Sequence, residues 1–265
     1  MAERAAEGRI SHAVWLVLRT LVILVAVRCA YQQQWELFFT CLLTLLLFLA
    51  PPFVERKLHL RLPAAMKISL LLFIFCAEVL GEIACFYVKY PLWDTMLHAV
   101  NGFLFAAFGF CLADLPGDSG PHENSLPPVF LALAAFCFSV TVGVVWEFFE
   151  FAMDRLLMLD MQKDTVLRGF QSVTLDLTQR NIPVSVRNIT ETVIRTADGQ
   201  EYVIAGYLDV GLTDTVKDLL VNLIGAAVFS VPGYFSVRQK RKNSLAAAFI
   251  PVVIQHGNRS APPRT

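Results

Sequence analysis

The stretch TDTVKDLLVNLIGAAVF, Thr213 to Phe229, is apolar enough for a bilayer from its middle onward, yet its first half carries Asp214, Lys217, Asp218 and Asn222. An ionisable side chain in hydrocarbon costs about 2.5 to 3.5 kcal/mol even on lenient insertion scales, so it is tolerated where it faces protein, water or an ion. The fold must therefore give Asp214 and Asp218 something other than lipid to face.

Composition makes the bilayer setting general. Of 265 residues 56% are hydrophobic and 17% charged, with mean hydropathy +0.56, which is far from an ordinary soluble domain. Formal net charge is zero, so nothing points to nucleic acid or to an acidic partner. The six cysteines stand singly in apolar runs without a C-x-x-C pair, and read as small core or lipid-facing residues.

Working outward from the opening stretch, six runs approach the ~20 residues that ~30 Å of hydrocarbon requires. They lie near 12–30, 35–53, 66–88, 94–114, 128–153 and 213–236. The fold class is an all-α polytopic membrane protein: six transmembrane helices in a bundle, with a small extracytoplasmic β-rich loop. Residues 1–156 hold spans one to five, 157–211 the loop, 212–238 span six and 239–265 a cytoplasmic tail. The first run contains Arg19 and is followed at once by a second, so it reads as a signal anchor rather than a cleaved peptide.

Arg56, Lys57, Arg61 and Lys67 after the second span, and Arg238, Lys240, Arg241 and Lys242 after the sixth, predict cytoplasmic loops and both termini inside. The compartment expected is the bacterial cytoplasmic membrane. In the loop, SVTLDL, IPVSVRNI, TETVIRT and EYVIAGYL alternate like strands around an Asp198-Gly199 turn, which predicts a small antiparallel hairpin or meander. Asn188-Ile-Thr190 is a glycosylation sequon, meaningful only in a glycosylating compartment.

In this topology four polar clusters fall in the outer leaflet, and each occupies one helical face. Asp214, Asp218, Asn222 and Gly225 stack on successive turns of span six. Asp94, His98, Asn101, Gly102 and Gly109 share a stripe on span four; Gly143, Glu147, Glu150 and Asp154 lie along span five; Glu78 and Glu82 are a turn apart on span three. Glycine on a polar stripe lets helix backbones approach, as expected if these faces meet one another.

So many carboxylates beside one imidazole require protonation, water or a cation. Asp94, His98, Glu147 and Asp218 are the expected ligands of a divalent ion, Mn, Zn, Fe or Mg. Glu150 and Asp214 are the candidates for catalytic acid-base roles, and Glu78, Glu82, Asn101, Trp146 and Asn222 for second-layer or substrate contacts. Lys217 is placed for a helix-surface ion pair with Asp214.

A family resemblance attaches to these residues. WDTMLH (Asp94, His98), WEFFE (Trp146, Glu147, Glu150) and DTVKDLLVNLIGA (Asp214, Asp218, Asn222, Gly225) together resemble the YjdF-like family of uncharacterised bacterial inner-membrane proteins. More distantly, D-x-x-x-H, an intramembrane Glu and D-x-x-x-N-x-x-G are similar to VanZ-like proteins linked to glycopeptide-antibiotic resistance. The resemblance covers spans three to six and implies the same site residues, without implying a reaction.

The leading expectation is a metal-dependent hydrolase or transferase acting on a lipid or lipid-linked substrate, with membrane lipids as partners. No G-x-S-x-G, H-E-x-x-H or Walker loop supplies a soluble-enzyme template. A cation or proton transporter or channel using the same acids is the first alternative, and a non-catalytic lipid-binding or scaffold protein the second.

Overall fold

The structure is a computed structural model that describes residues 2–113, 126–239 and 244–253. Most of the Pro- and Gly-rich connection after the fourth span lies outside these residues, as do Lys240, Arg241 and Lys242. Six helices are long and apolar enough to cross a membrane: Gly8–Tyr31, Trp35–Leu58, Ala64–Ile83, Trp93–Ala113, Pro128–Leu157 and Leu212–Arg238. The chain divides into two compact units, Met1–Gly143 with Leu220–Thr265, and Val144–Leu219.

In the first unit, α1 (Ala2–Tyr31) is one continuous helix, whereas the second span is built from α2 (Trp35–Leu47) and α3 (Ala50–Leu58). Pro51 and Pro52 bring no amide hydrogen to the start of α3, so the chain breaks at Phe48–Leu49. His59 then takes a left-handed conformation, and Glu55 accepts the Leu62 amide at 2.8 Å while pairing with Lys67 at 2.9 Å, which closes the turn into α4 (Ala64–Phe75).

The third span differs from its expected form. α geometry ends at Phe75 and a π-helix follows over Cys76–Ile83, after which Cys85, at φ 58°, redirects the chain into the short α5 (Phe86–Lys89). The span therefore stops near residue 83 rather than 88. Tyr87 lies against Gly81 where a Cβ would overlap its ring, and Trp93 Nε1 donates to the Cys76 carbonyl at 3.3 Å. Such an outside donor suits a wide turn, whose carbonyls have left the usual ladder.

Two apolar clusters fill this unit. Leu18, Val22, Ala26, Cys41, Phe48, Leu71 and Val79 join the first three spans. Ala106, Ala107, Phe110, Leu131, Ala135, Ala226 and Phe229 join α6 (Trp93–Ala113), α7 (Pro128–Leu157) and α8 (Leu212–Arg238). The small residues bring these backbones close: a Cβ on Gly102 would overlap the Asn222 carbonyl, and one on Gly225 the Ala99 carbonyl. Among the residues beyond the sixth span, 244–253 return to this cluster. Ala246 is buried in it, Phe249 packs edge-on to Phe103, and Val252–Val253 pairs antiparallel with β1, Leu60–Arg61.

The second unit holds the end of α7, the start of α8 and the segment between them. There β2 (Thr165–Leu167) pairs with β7 (Tyr207–Asp209), β3 (Gly169–Ser172) with β4 (Val184–Arg187), and β5 (Thr192–Arg195) with β6 (Glu201–Ile204), all antiparallel. The Asp198-Gly199 turn joins β5 to β6, Gly199 at φ +86° as the tight turn requires. The three ladders are separate two-stranded sheets and not one meander, and SVTLDL is a strand only at Ser172. The cause is Asp176, whose carboxylate accepts the amides of Thr178, Arg180 and Ile182 at 2.9 to 3.1 Å and the Thr178 hydroxyl, taking donors a ladder would need.

Two measurements follow. Gly225→Val should destabilise the protein by about 1 to 3 kcal/mol or prevent folding, whereas Gly8→Ala, with open space around it, should melt like wild type. Equal melting of the two variants in detergent would contradict the packing. The hydrogen bonds at Asp176, its Thr178 hydroxyl first, hold its carboxyl down at about 2. With the folded value below the ordinary ~3.9, the turn keeps this contribution above pH ~4 and loses it as pH falls through the folded value. Carboxyl-labelled NMR should find that low midpoint, and an ordinary one would refute the turn.

Candidate functional site

The spans bury one histidine and several acids. Asp218 is 1% exposed, Glu147 3%, His98 5% and Glu150 7%, with Asp214 also buried; no Lys or Arg among the described residues is buried. A helix of apolar residues interrupted by such groups is stable only if each is satisfied or neutralised.

In the first unit the polar stripe of α6 meets α7 and α8 at a single asparagine. Asn222, almost wholly buried, accepts a hydrogen bond from Asn101 Nδ2 at 3.0 Å and donates to the Ser139 carbonyl at 3.4 Å. Ser139 in turn donates to the Gly102 carbonyl at 2.7 Å, and Gly143 leaves the space that the Asn222 amide occupies. One turn from Asn101 and Gly102, His98 Nε2 lies 3.7 Å from Asp94 Oδ1. Asn101 and Asn222 are thus brought together as expected, in a contact that ties three helices. Ser139 belongs to this node although its lone hydroxyl in an apolar run gave no sign of its partner.

In the second unit Trp146 Nε1 donates to Glu150 Oε1 at 2.9 Å, one turn along α7, and its half-exposed ring tilts against Phe149. Lys217 lies 3.6 Å from Asp214 Oδ1 and 3.9 Å from Asp218 Oδ1, so the expected Asp214 pair forms and Asp218 shares the cation. Asp214 also accepts the Lys163 amide at 2.8 Å, which ties the inter-span segment to α8. Asp154 accepts the amides of Met161 and Gln162, and Gln162 reaches Thr215 at 2.6 Å. Asp154 therefore holds the exit of α7.

Glu78, half-buried, and Glu82, exposed, sit on the π-helix, and among the described residues no hydrogen bond or ion pair joins them to the Asn222 node. Their α-helical spacing gave no indication of the wider turn.

Fold and site define a class: a six-helix membrane protein whose spans bury a histidine and a set of acids. Residues 10–239 match the family described as predicted membrane protein DUF2238, and the chain belongs to that family. A Thermotoga maritima protein, described as an uncharacterized protein, is 30% identical over 107 residues, covering 40% of this chain and 53% of the relative. The match thus spans about half the relative's length. No solved structure matches the chain.

The node should be energetically coupled. Asn222→Ala and Asn101→Ala should each destabilise, and their double-mutant cycle in detergent should give an interaction of about 0.5 to 3 kcal/mol. Strict additivity would mean that the Asn101–Asn222 bond contributes nothing.

Proposed function

We propose that the protein holds a divalent cation between its fourth, fifth and sixth spans and uses it in hydrolysis or group transfer on a lipid or lipid-linked substrate. The proposed ligands are Asp94, His98, Glu147 and Asp218, the imidazole and the acids that the polar stripes of these helices carry. The observation that carries this reading is the burial of His98, Glu147, Glu150 and Asp218 without a buried Lys or Arg among the described residues. Carboxylates of one sign at low dielectric repel, and a divalent ion relieves several at once.

The packing of the first unit sets the directions of these helices. Gly102 meets Asn222 while Phe110 meets Gly233, so α6 and α8 run parallel; Gly109 meets Ala135 while Gly102 meets Ser139, so α7 runs against them. Along each helix the spacing is one turn: His98 precedes Gly102 on α6, Glu147 follows Gly143 on α7, and Asp218 precedes Asn222 on α8. The donor set of carboxylates and one imidazole suits Mn, Zn, Fe or Mg.

A cation there would lower the pKa of a bound water. Glu150, held by the Trp146 indole, would be the base that takes a proton from that water, and Asn222 fixes the helix that carries Asp218. Asp214 is proposed as a further acid-base group paired with Lys217. The motifs around Asp94, Glu147 and Asp218 favour the YjdF-like branch within the wider family and a remoter kinship with VanZ-like proteins. The positive charge of the loop at Arg56 and Lys57 favours termini on the cytoplasmic side of a bacterial membrane and the segment 157–211 outside.

Elemental analysis of purified protein should find one divalent cation per chain in wild type and loss of it in Asp218→Asn. A chelator should lower the melting temperature of wild type and leave Asp218→Asn unmoved, since a ligand at 100 times its Kd contributes about 2.7 kcal/mol. A metal-free wild type that ignores chelator would overturn the cation site in favour of a proton relay or a polar scaffold. For the topology, a cysteine placed at Asp198 should react with an impermeant maleimide from outside intact cells, and reaction only from inside would reverse the orientation.

A further inference from the structure

Residues 173–183, VTLDLTQRNIP, join β3 to β4 and turn apolar side chains away from the protein. Leu177 is 97% exposed, and Val173, Leu175, Ile182 and Val184 are exposed beside it. A loop that bore such residues by neglect would be loose. This one is fixed: Asp176 gathers the amides of Thr178, Arg180 and Ile182, Ser172 Oγ accepts the Thr174 amide, and the β3–β4 ladder closes the base at Ser172 and Val184. Gln179 and Asn181 are held at φ 55° and 59°, in the left-handed region that L residues seldom adopt. Strain kept in place by a hydrogen-bonded hub, in order to present aliphatic side chains, is the mark of a contact surface.

We propose that this tip is a membrane-docking element that seats Leu175, Leu177 and Ile182 among the acyl chains of a lipid leaflet, with Arg180 and Arg187 against anionic headgroups. Three observations favour lipid over a protein partner. The tip has no aromatic residue, whereas protein interfaces rely on Trp, Tyr and Arg anchors. Its acid, Asp176, is spent on its own turn, so the charge offered outward is that of arginine, complementary to anionic lipid. The spans on either side already hold the chain in a bilayer, so docking needs no encounter from solution. The low carboxyl value of Asp176 keeps the hub ionised at any physiological pH. This inference is independent of the cation site.

The test uses the full chain with the exposed Cys85 and Cys137 changed to Ser and a single reporter cysteine at Leu177→Cys, labelled with an environment-sensitive dye. In nanodiscs of mixed phosphatidylglycerol and phosphatidylcholine the emission should shift to the blue and be quenched by nitroxide-labelled lipid. Arg180→Glu, Asp176→Ala or pure phosphatidylcholine should reduce the quenching by at least half. The same dye at Asp198→Cys, in the β5–β6 turn, should stay in water. If Leu177→Cys disturbs folding, Leu175→Cys reports on the same tip. A water-like emission with full iodide quenching in anionic nanodiscs would overturn the proposal. So would a blue shift that disappears when each disc holds one chain, which would assign the tip to a second copy instead.

Discussion

The amide of Asn222 is the contact on which the rest of this structure depends. Buried between three apolar helices, it must exchange hydrogen bonds with protein or destabilise the fold, and it does so with Asn101 on one side and Ser139 on the other. The exchange is possible only because Gly102, Gly143 and Gly225 let the backbones approach to a distance that any side chain would prevent. In lipid, where no hydrophobic force draws helices together, close packing and interhelical hydrogen bonds carry that task. The node fixes the rotation of each helix about its axis, and with it the direction in which the next turn points.

That next turn is where the ionisable residues stand. A lone buried carboxyl can be satisfied by hydrogen bonds and would need no further account. Three carboxylates of the second unit, Glu147, Glu150 and Asp218, almost wholly withdrawn from solvent, are a different electrostatic problem, and the half-exposed Lys217 lies within 3.9 Å of Asp218. The segment between α7 and α8 adds to the order of this region from within its own unit: Asp154 holds the exit of α7, Asp214 takes the Lys163 amide, and Asp209 accepts the Thr213 amide at the start of α8.

Much of this was legible in the sequence because the signals are local. Apolar length marks a span, an i, i+4 stripe marks a face, and glycine on the stripe marks a close neighbour, so Asp218, Asn222, His98 and Gly102 could be placed from spacing alone. The Asp198-Gly199 hairpin was legible for the same reason. What escaped depends on contacts distant in sequence or on geometry without a residue signature. The π-helix at Cys76–Ile83 has no residue signature, and its cause lies partly in Tyr87 and Trp93 beyond it. The pairing of β1 with Val252–Val253 is two residues long and joins positions almost two hundred apart. Asp176 read as part of a strand because alternation says nothing of a side chain that captures its own backbone.

The central claim is that His98 and the neighbouring acids ligate a cation, and the most direct test is pulsed electron paramagnetic resonance of Mn2+ added to the purified protein. The account predicts one tightly held ion per chain whose spectrum carries nitrogen hyperfine coupling from an imidazole, with that coupling lost in His98→Gln while the ion remains on the carboxylates. A Mn2+ signal indistinguishable from the hydrated ion, or nitrogen coupling unchanged in His98→Gln, would contradict it.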